Sequence, residues 1–515
     1  MAWDWNTVID LITPAQDWQV FTGESVILMF ALLAPLVALS DTDRKGMQQF
    51  ALIGLMGGFL ITLGTLLDFN YGRFSFEYID WSAQSAAAGH VVADVYRVTY
   101  ASQLFKLVFL GVAIAAVIGI GRPLKGKSEE DYGEFYGLLL FATLGMMIVA
   151  SAQELFTLFL GIEMTSMSSY LLAAFRRDRI GAEAGLKYFV IGAISSGMVL
   201  FAISLLYGMA GTTRIAGLAT ITTDGGFDAV SILPIVLLLA GLGFKISSVP
   251  FHAWAPDVYS GAPVPVAGVL ASASKAMGFV AIFQVFLVGL FNVKANWELA
   301  VALLAAVTMF VGNLVALQQQ NLRRMLAYSS IAQAGYLLIA LAVGTWFAVG
   351  GAVFHLMVNA AMKLGAFLVV GALLYAGIPD QVDSIKGLGK RAPLLAFAMA
   401  VFLLSMAGLP PFGGFASKFV LFSSAVDVGV TEDLGWLVVL AVVAVVNSAI
   451  SLFYYLRVIR AMYVDGAPDE ARITVDSGVT VAVSLCLVAV LLMGLWPEPF
   501  VDASMKAARS LLGLA

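Results

Sequence analysis

Residues 242–275 read LGFKISSVPFHAWAPDVYSGAPVPVAGVLASASK, and this stretch decides how the rest of the chain is interpreted. An apolar run leads into Lys245, four prolines follow between positions 250 and 265, and a second apolar run carries Lys275. If both runs lie in a bilayer, two ammonium groups sit at membrane depth beside an interrupted helix. Irregular backbone is tolerated there only where protein or a wet cavity surrounds it, and charged residues at that depth usually mark an ion path.

The composition is that of an integral membrane protein. Of 515 residues, 61% are hydrophobic and 12% are charged, whereas an ordinary soluble domain has about 25% charged residues. Apolar stretches of about 20 residues recur from Ser25 to Trp496, which indicates transmembrane helices and not the alternating strands of a barrel. The sequence predicts an all-α polytopic membrane protein with about 14 spans, of which the seventh, eighth and twelfth are interrupted. Their approximate cores are 25–40, 48–67, 102–120, 135–150, 153–175, 186–209, 231–247, 264–290, 299–317, 327–349, 352–377, 393–424, 435–463 and 478–499.

The basic residues predict the topology, because they cluster in alternate loops. By the positive-inside rule these loops face the cytoplasm, so both termini face outward. The long, aromatic loop 68–100 then lies on the outer side. The basic residues of the cytoplasmic loops are Arg44, Lys45, Arg122, Lys125, Lys127, Arg176, Arg177, Arg179, Arg323, Arg324, Lys386, Lys390, Arg391, Arg457, Arg460 and Arg472.

Seven charged residues remain inside the predicted spans. They are Lys106, Glu163, Lys187, Lys245, Lys275, Lys363 and Lys418. Each costs about 2.5–3.5 kcal/mol at mid-helix on insertion scales, so a set of this size indicates function. Two have simpler explanations. Lys106 lies in the first turn of its span and is expected to extend its ammonium outward. Lys187 follows Glu183 by one helical turn, and the sequence leaves open whether that pair is its whole role.

Proton relay is the chemistry that buried lysines and a carboxylate support. Burial lowers a lysine pKa and a nearby carboxylate raises it, so movement of charge between neighbours toggles protonation. Glu163 has no charged neighbour in sequence, which predicts a partner, most naturally a lysine, from another helix. His252 and His355 are candidate bridges because imidazole titrates near neutrality, although hydrogen bonding alone explains a lone buried histidine equally well. Cys486 is expected to be a buried hydrophobe, and no Cys/His cluster or Gly-rich loop predicts a metal, iron–sulfur or nucleotide site.

The two halves of the chain share a feature. Lys245 precedes Ser247-Ser248-Val249-Pro250, and Lys418 follows Leu409-Pro410-Pro411, so each half has a proline-interrupted span with one buried lysine. Paired broken segments of this kind are typical of repeat-built transporters with sites near the midplane.

Several segments resemble the antiporter-like N subunit of respiratory complex I and its relatives. They are LFLGIEMTSMSSYLL, EAGLKYFVIGAISSGMVLFAISLLYGMAGT, the GFKISSVPFHAWAPDVYSGAPVPVAGVLASASK stretch and NLRRMLAYSSIAQAGYLL, and the resemblance covers roughly residues 130–460. It implies two inverted five-helix repeats, at 131–290 and 291–465, flanked by 1–130 and 466–515.

The resemblance also implies roles for individual residues. Glu163 is similar to the carboxylate partner of Lys245, Lys275 to the connecting lysine, and Lys418 to the terminal lysine of an outer half-channel. Lys187 matches the family's lysine in span six. Lys363 departs from N-type sequences and resembles the HxxxK pattern of sister subunits, which would add a relay site.

The function implied is that of a proton-translocating membrane-arm subunit of a complex I-type NADH, ferredoxin or F420H2:quinone oxidoreductase, located in the inner (plasma) membrane. No cofactor is expected in this chain. Quinone, flavin and iron–sulfur clusters are expected in partner subunits, which include M-type and small K/J/A-type membrane neighbours; no nucleic acid is expected. The alternatives are a subunit of a multi-subunit Na⁺/H⁺ antiporter or membrane-bound hydrogenase, or a scaffold whose buried charges only hold helices together.

Overall fold

The computed structural model describes residues 21–40, 43–71, 90–92, 95–120, 131–221, 229–466 and 471–514. Most of the predicted outer loop 68–100 lies outside them, as do Arg122, Lys125 and Lys127. The first half contains α1 (Thr22–Ala38), α2 (Arg44–Tyr71), α3 (Tyr100–Ile118), α4 (Asp131–Ser151), α5 (Leu155–Ala173), α6 (Arg179–Ala210), α7 (Ala229–Ile246), α8 (Trp254–Gly261), α9 (Val264–Val269) and α10 (Lys275–Phe283). A short antiparallel pair of three-residue strands, β1 (His90–Val92) with β2 (Tyr96–Val98), precedes α3 and is an exception to the all-α prediction.

The second half and the C-terminal region are also helical. They contain α11 (Glu298–Gln318), α12 (Leu322–Val343), α13 (Trp346–Tyr375), α14 (Leu388–Arg391), α15 (Pro393–Ala407), α16 (Gly413–Thr431), α17 (Gly435–Tyr463), α18 (Ser477–Leu495) and α19 (Glu498–Leu511). Short 3₁₀ turns at Ala216–Thr220, Phe291–Asn296 and Val382–Ile385 and π-helical segments at Leu270–Ser274 and Gln284–Gly289 complete the described elements.

Polar caps fix where many of these apolar helices begin. The Thr99 and Ser102 side chains form a reciprocal capping box at the start of α3, and Asp178 accepts from Gly181 N at the start of α6. Asn321 caps α12 in the same way by accepting from Arg324 N. Such caps satisfy amide groups that the first turn of a helix leaves without a partner, and each contributes about 1 kcal/mol.

The predicted interruptions of spans seven and twelve are confirmed. Span seven consists of α7 and α8, and the break begins at Ser247, which has a left-handed backbone (φ 60°). Span twelve consists of α15 and α16, and its break begins at the left-handed Gly408 (φ 83°). A left-handed residue cannot continue a right-handed helix, so in both spans the break follows directly from the local backbone.

The eighth span is helical throughout Val264–Gly289, so its predicted interruption is wrong. It changes instead to π-helix at Leu270–Ser274 and again at Gln284–Gly289, on either side of α10. A π-helical turn shifts the hydrogen-bonding pattern without breaking the helix, and such turns are frequent at functional sites. The prolines at 263 and 265 occupy the cap and first turn, where a missing N–H costs little.

The helices are arranged in a buried centre and an apolar periphery. The Val264–Gly289 segment is almost completely buried, and α12 and α13 around it are largely buried as well. Outer helices such as α6, α11 and α17 expose large apolar side chains, which is the arrangement expected where lipid or another membrane subunit covers the surface. Examples are Phe189, Ile194, Phe201, Leu303, Leu314, Val442 and Phe453.

The number of membrane spans stays a prediction. Twelve described helices are long and apolar enough to cross a bilayer, and Thr22–Ala38, Ile232–Ile246 and Pro393–Ala407 are shorter apolar helices. The final helix, α19, was not predicted. It is amphipathic, packs against α13 and α3, and places Arg509 4.2 Å from the ring centre of Trp346.

Candidate functional site

Glu163 lies in a small cavity between α5, α6 and α7. Its carboxylate accepts a hydrogen bond from Ser196 on α6. Lys245 lines the same cavity and donates to Ser166 Oγ at 2.8 Å. Glu163 and Lys245 therefore share one cavity without a direct ion pair. The cavity has a volume of about 10 Å³, which is enough for about one water molecule.

The break in span seven positions Lys245. Lys245 lies in the last turn of α7, two residues before the left-handed Ser247. Protein groups satisfy the backbone at the break: Ser248 N donates to Gly243 O (2.9 Å), Trp254 Nε1 donates to Phe244 O (3.1 Å), and Val249 N donates to Thr308 Oγ1 (3.1 Å). The interrupted backbone is thus buried in protein, as a break at membrane depth requires.

Lys275 is the first residue of α10 and contacts α12. Its Nζ donates to the carbonyl oxygen and to the hydroxyl of Ser330, each at 2.7 Å. The side chain is buried (1% exposed), and no carboxylate forms an ion pair with it among the described residues. A charged ammonium here has only neutral oxygen partners, which is an environment suited to a group that gains and loses its proton.

Lys363, in the middle of α13, contacts the residue next to Ser330. Its Nζ donates to Ser329 Oγ (2.7 Å) and to Leu326 O (3.3 Å), and the side chain is fully buried. Ser329 also shares a hydrogen bond with the hydroxyl of Tyr455 on α17. Two adjacent serines of α12 therefore hold two different lysines.

His355 lies two turns from Lys363 on α13 and is fully buried. Its Nε2 is 2.9 Å from Gln333 Oε1, and its Nδ1 is 2.9 Å from Ser417 Oγ. Gln333 Nε2 donates to Met406 O at 3.2 Å, which orients the amide so that Oε1 faces the histidine. Because an amide oxygen only accepts, the neutral ring carries its hydrogen on Nε2, and Nδ1 accepts from Ser417.

The break in span twelve builds the site of Lys418. Carbonyl groups in the last turn of a helix have no partner within that helix. In α15, Met406 O accepts from Lys418 Nζ at 2.8 Å, and Ala407 O accepts from Ser448 Oγ, which itself accepts from Lys418 at 2.9 Å. Lys418 Nζ also lies 4.3 Å from the ring centre of Tyr336. Lys418 lines a largely apolar groove of about 890 Å³ between α16 and α17.

These contacts form what we term the central row. It consists of four titratable residues and the groups to which they are hydrogen-bonded. Lys275 bonds to Ser330, Lys363 to Ser329, His355 to Gln333 and Ser417, and Lys418 to the carbonyl oxygen of Met406. Gln333 and Lys418 donate to the same carbonyl, so His355 and Lys418 share a hydrogen-bonded network. Every member can gain or lose a proton, or orients a group that does, so the row has the chemistry of proton transfer. Within the described residues, no group of three or more His, Cys, Asp or Glu could hold a metal ion.

The HxxxK pattern suggested for Lys363 is wrong in its spacing. The residue four positions before Lys363 is Asn359, and His355 lies eight positions before it. His355, Asn359 and Lys363 nevertheless lie on one face of α13, because residues four apart are neighbours on a helix surface.

Lys187 and His252 lie apart from the central row. Lys187 pairs with Glu183 (2.8 Å), as predicted, and also with Asp257 of α8 (2.8 Å), which in turn pairs with Arg324 of α12 (2.8 Å). We term these four residues the Asp257 cluster. His252 lies in the break of span seven with its Nδ1 buried and unpaired, and no hydrogen bond among the described residues joins its side chain to the lysines.

The Asp257 cluster predicts a pH-dependent stabilisation. The carboxylate of Asp257 accepts charge-assisted hydrogen bonds from Lys187 and Arg324, each at 2.8 Å. These bonds stabilise the folded state only while the carboxylate is ionised, so their contribution is present at neutral pH and is lost as Asp257 becomes protonated in acid. Asp257→Asn should therefore lower the free energy of unfolding by about 1 kcal/mol at pH 7 and by less near pH 3. Chemical denaturation at both pH values measures this difference, which an equal loss at both would contradict.

The expectation that Lys106 extends its ammonium outward is wrong. Lys106 is buried (1% exposed) and forms an ion pair with Glu24 of α1 at 2.7 Å. Tyr96 accepts from Lys106 Nζ at 2.8 Å and donates to Glu24 Oε1 at 2.5 Å. This buried pair fastens the start of α1 to α3.

The residues that the sequence analysis missed are mostly neutral oxygen and amide groups that hold the lysines. They are Ser196, Ser329, Ser330, Gln333, Tyr336, Met406, Ser417, Ser448 and Tyr455. One signal was available, because SSIAQ at 329–333 places three polar side chains within about one turn of an apolar span.

Comparison with known proteins places this geometry in a family. A family model described as NADH:quinone oxidoreductase/Mrp antiporter, transmembrane, matches residues 152–450, which include every member of the central row. The chain belongs to this family. F420H2 dehydrogenase subunit N of Methanosarcina mazei is 43% identical over 468 residues, covering 88% of this chain and 92% of that protein. NADH-quinone oxidoreductase subunit N of Desulforamulus reducens is 39% identical over 471 residues, covering 91% and 93%.

Solved structures agree with this family assignment. A chain of respiratory complex I from Thermus thermophilus matches with a TM-score of 0.74 and 31% identity, over 93% of this chain and 99% of that one. The predicted resemblance to the N-type, antiporter-like subunits is therefore confirmed, and it extends well beyond residues 130–460. The family members named above are subunits of redox complexes, so this chain is a subunit of a complex of that type.

Proposed function

We propose that this chain translocates protons as a membrane-arm subunit of a complex I-type oxidoreductase. The observation that carries the proposal is the central row: three buried lysines and a histidine, each held by neutral oxygen or amide groups of neighbouring helices. Protons would enter at the Glu163 cavity, where Lys245 receives them, and would pass by Lys275, Lys363 and His355 to Lys418. Lys187, on α6, and His252, in the break that follows Lys245, would have supporting roles.

The rest of the proposal follows from the family. Redox chemistry would take place in partner subunits carrying flavin, iron–sulfur clusters and a quinone site, with M-type and small K/J/A-type subunits as membrane neighbours. The family includes subunits named for NADH and for F420H2, so the electron donor would be set by the peripheral partners. The basic loops support a location in the inner (plasma) membrane with both termini outward. The two broken spans with one lysine each support inverted repeats at 131–290 and 291–465.

The second candidate is a subunit of a multi-subunit Na⁺/H⁺ antiporter or membrane-bound hydrogenase. The family description names Mrp antiporters beside the oxidoreductase, and this supports the second candidate. Isolation of the intact complex separates the two candidates. Co-purifying iron–sulfur and flavin subunits with donor:quinone activity support complex I-type function, whereas a complex of membrane subunits without redox centres supports the antiporter.

Proton uptake by vesicles containing the complex tests the proposal. Wild type and Lys245→Ala are driven by the native electron donor, with an uncoupler control that shows how much of the signal depends on a proton gradient. Electron transfer and pumping should fall together in Lys245→Ala, because the proposed entrance has lost the base that receives the proton. Wild-type levels of both would mean that the buried lysines only hold helices together.

A further inference from the structure

Asn359 is a buried polar residue of the centre that the contacts described so far leave unused, and it is one whose side chain has both of its polar atoms without a partner. Its side chain is buried (1% exposed), and neither its Oδ1 nor its Nδ2 has a hydrogen-bond partner. A buried amide without partners is costly, because it has given up its hydrogen bonds to water and gained none. Native proteins leave few such groups, and each calls for an explanation.

The position of Asn359 on α13 supplies an explanation for its unpaired amide. α13 carries Lys363, Asn359 and His355 at successive intervals of four residues, so the three side chains lie along one face with Asn359 in the middle. Lys363 contacts Ser329 of α12, and His355 contacts Gln333, one turn further along α12. The two helices thus form two polar contacts, and Asn359 lies between them.

The central row is discontinuous at this point. His355 is linked to Lys418 through Gln333 and the carbonyl of Met406. Lys275 and Lys363 are held by the adjacent residues Ser330 and Ser329. No hydrogen bond among the described residues joins Lys363 directly to His355. The bonded contacts of Lys363 lead through Ser329 to Tyr455 of α17, and not along α13 to the histidine.

We propose that Asn359 is a positioning residue that completes the connection between Lys363 and His355. Lys363 has four rotatable side-chain bonds, so its ammonium can leave Ser329 and donate to Asn359 Oδ1, one turn nearer to the histidine. Ser417 turns its hydroxyl hydrogen from His355 Nδ1 to Gly414 O, 3.3 Å away, and the proton then passes from Lys363 Nζ to the freed Nδ1, the ring nitrogen that carries no hydrogen. The Nζ–H bond breaks, an Nδ1–H bond forms, Lys363 becomes neutral, and His355 becomes an imidazolium.

This role of Asn359 rests on the proposed proton translocation. A search for titratable residues alone would overlook Asn359, because an amide side chain does not titrate. Asn359 itself neither gains nor loses a proton. It determines whether Lys363 has one stable position or two, and the second position brings donor and acceptor together, which is the geometric requirement for proton transfer.

The experiment compares Asn359→Leu with wild type in the intact complex. Leucine is close to asparagine in size and cannot accept a hydrogen bond. Donor-driven proton uptake and electron transfer should fall about tenfold to a hundredfold. The thermal unfolding midpoint should stay unchanged or rise, because the substitution removes an unpaired buried amide. A residue with a merely structural role would not give lower activity at equal or higher stability.

Two further comparisons make the result decisive. Asn313→Leu is the stability control, because Asn313 Nδ2 donates to Tyr336 (3.2 Å) and its Oδ1 accepts from Tyr454 (3.0 Å), so its loss should lower the midpoint. Asn359→Ser and Asn359→Ala differ by one hydroxyl, and the serine variant should retain more coupled activity. If Asn359→Leu fails to assemble, this pair decides, and equal activities would overturn the inference.

Lys418→Ala, measured in parallel, separates failure of the inference from failure of the proposed function. Loss of pumping in Lys418→Ala with wild-type pumping in Asn359→Leu would overturn the role of Asn359 and leave proton translocation standing. Wild-type pumping in both variants would overturn the proposed function, and the inference with it.

Discussion

Lys275→Met should reduce donor-driven proton translocation by about two to four orders of magnitude, the usual contribution of a group that transfers a proton directly. Lys275 is the only ionisable residue between Val264 and Gly289, an almost completely buried segment at the centre of the protein. Its ammonium contacts Ser330 of α12, next to the serine that holds Lys363. Methionine fills a similar volume but carries no proton, so transfer from the first half to the second would stop there.

Proton uptake and electron transfer by the complex in vesicles measure this effect. Assembly and the thermal unfolding midpoint should be maintained, because a buried ammonium with only neutral partners costs more than a buried thioether. Lys386→Met is the matched control, since Lys386 is partly exposed and pairs with Asp383 on the surface. Normal pumping by Lys275→Met would show that protons bypass this residue and that the central row begins at Lys363.

The broken helices could be predicted from the sequence because their cause is local. Proline and small polar residues follow Lys245 and precede Lys418, and these residue types disfavour continued helix wherever they occur. The burial of both lysines followed from the same runs, since a charge within a long apolar stretch must be buried in protein or line a cavity. Those two predictions needed no knowledge of which helix packs against which.

The partners of the lysines could not be predicted, because packing between distant helices determines them. Lys418 donates to Met406 O, a carbonyl group that every residue possesses and that becomes available only where a helix ends. Lys275 and Lys363 are held by neighbouring serines of α12, whose hydroxyls could equally have bonded to their own helix. Glu163 was expected to contact a lysine directly. In the structure Ser196 donates to Glu163 instead, and Ser166 accepts from Lys245.

Lys106 shows a different kind of error, in which a signal was present and was not used. Glu24 and Lys106 each lie near the predicted outer end of a span, so the sequence already placed opposite charges at a similar depth. Treating Lys106 alone led to the expectation of an exposed ammonium. Considering charged residues of neighbouring span ends together would have suggested the pair.

Removing one partner of the Glu24–Lys106 pair should destabilise the protein strongly. Both side chains are buried, at 1% exposure for Lys106 and 8% for Glu24, and Tyr96 bonds to both. Glu24→Leu or Lys106→Met would leave the other charge buried without its counter-ion, at a cost of about 3–5 kcal/mol. Denaturation of the purified protein and its yield in membranes measure the loss.

The double substitution separates charge pairing from packing. Glu24→Leu with Lys106→Met removes both charges and fills the space with apolar atoms, and buried pairs replaced in this way usually give proteins of equal or greater stability. The double variant should therefore recover most of the stability that either single variant loses. Lys187, which pairs with Glu183 and Asp257 at a more exposed position, is the control, and Lys187→Met should cost much less than either single substitution in the buried pair. If the two losses simply add in the double variant, packing of these side chains, and not their charge, holds α1 against α3, because independent contributions are additive and coupled ones are not.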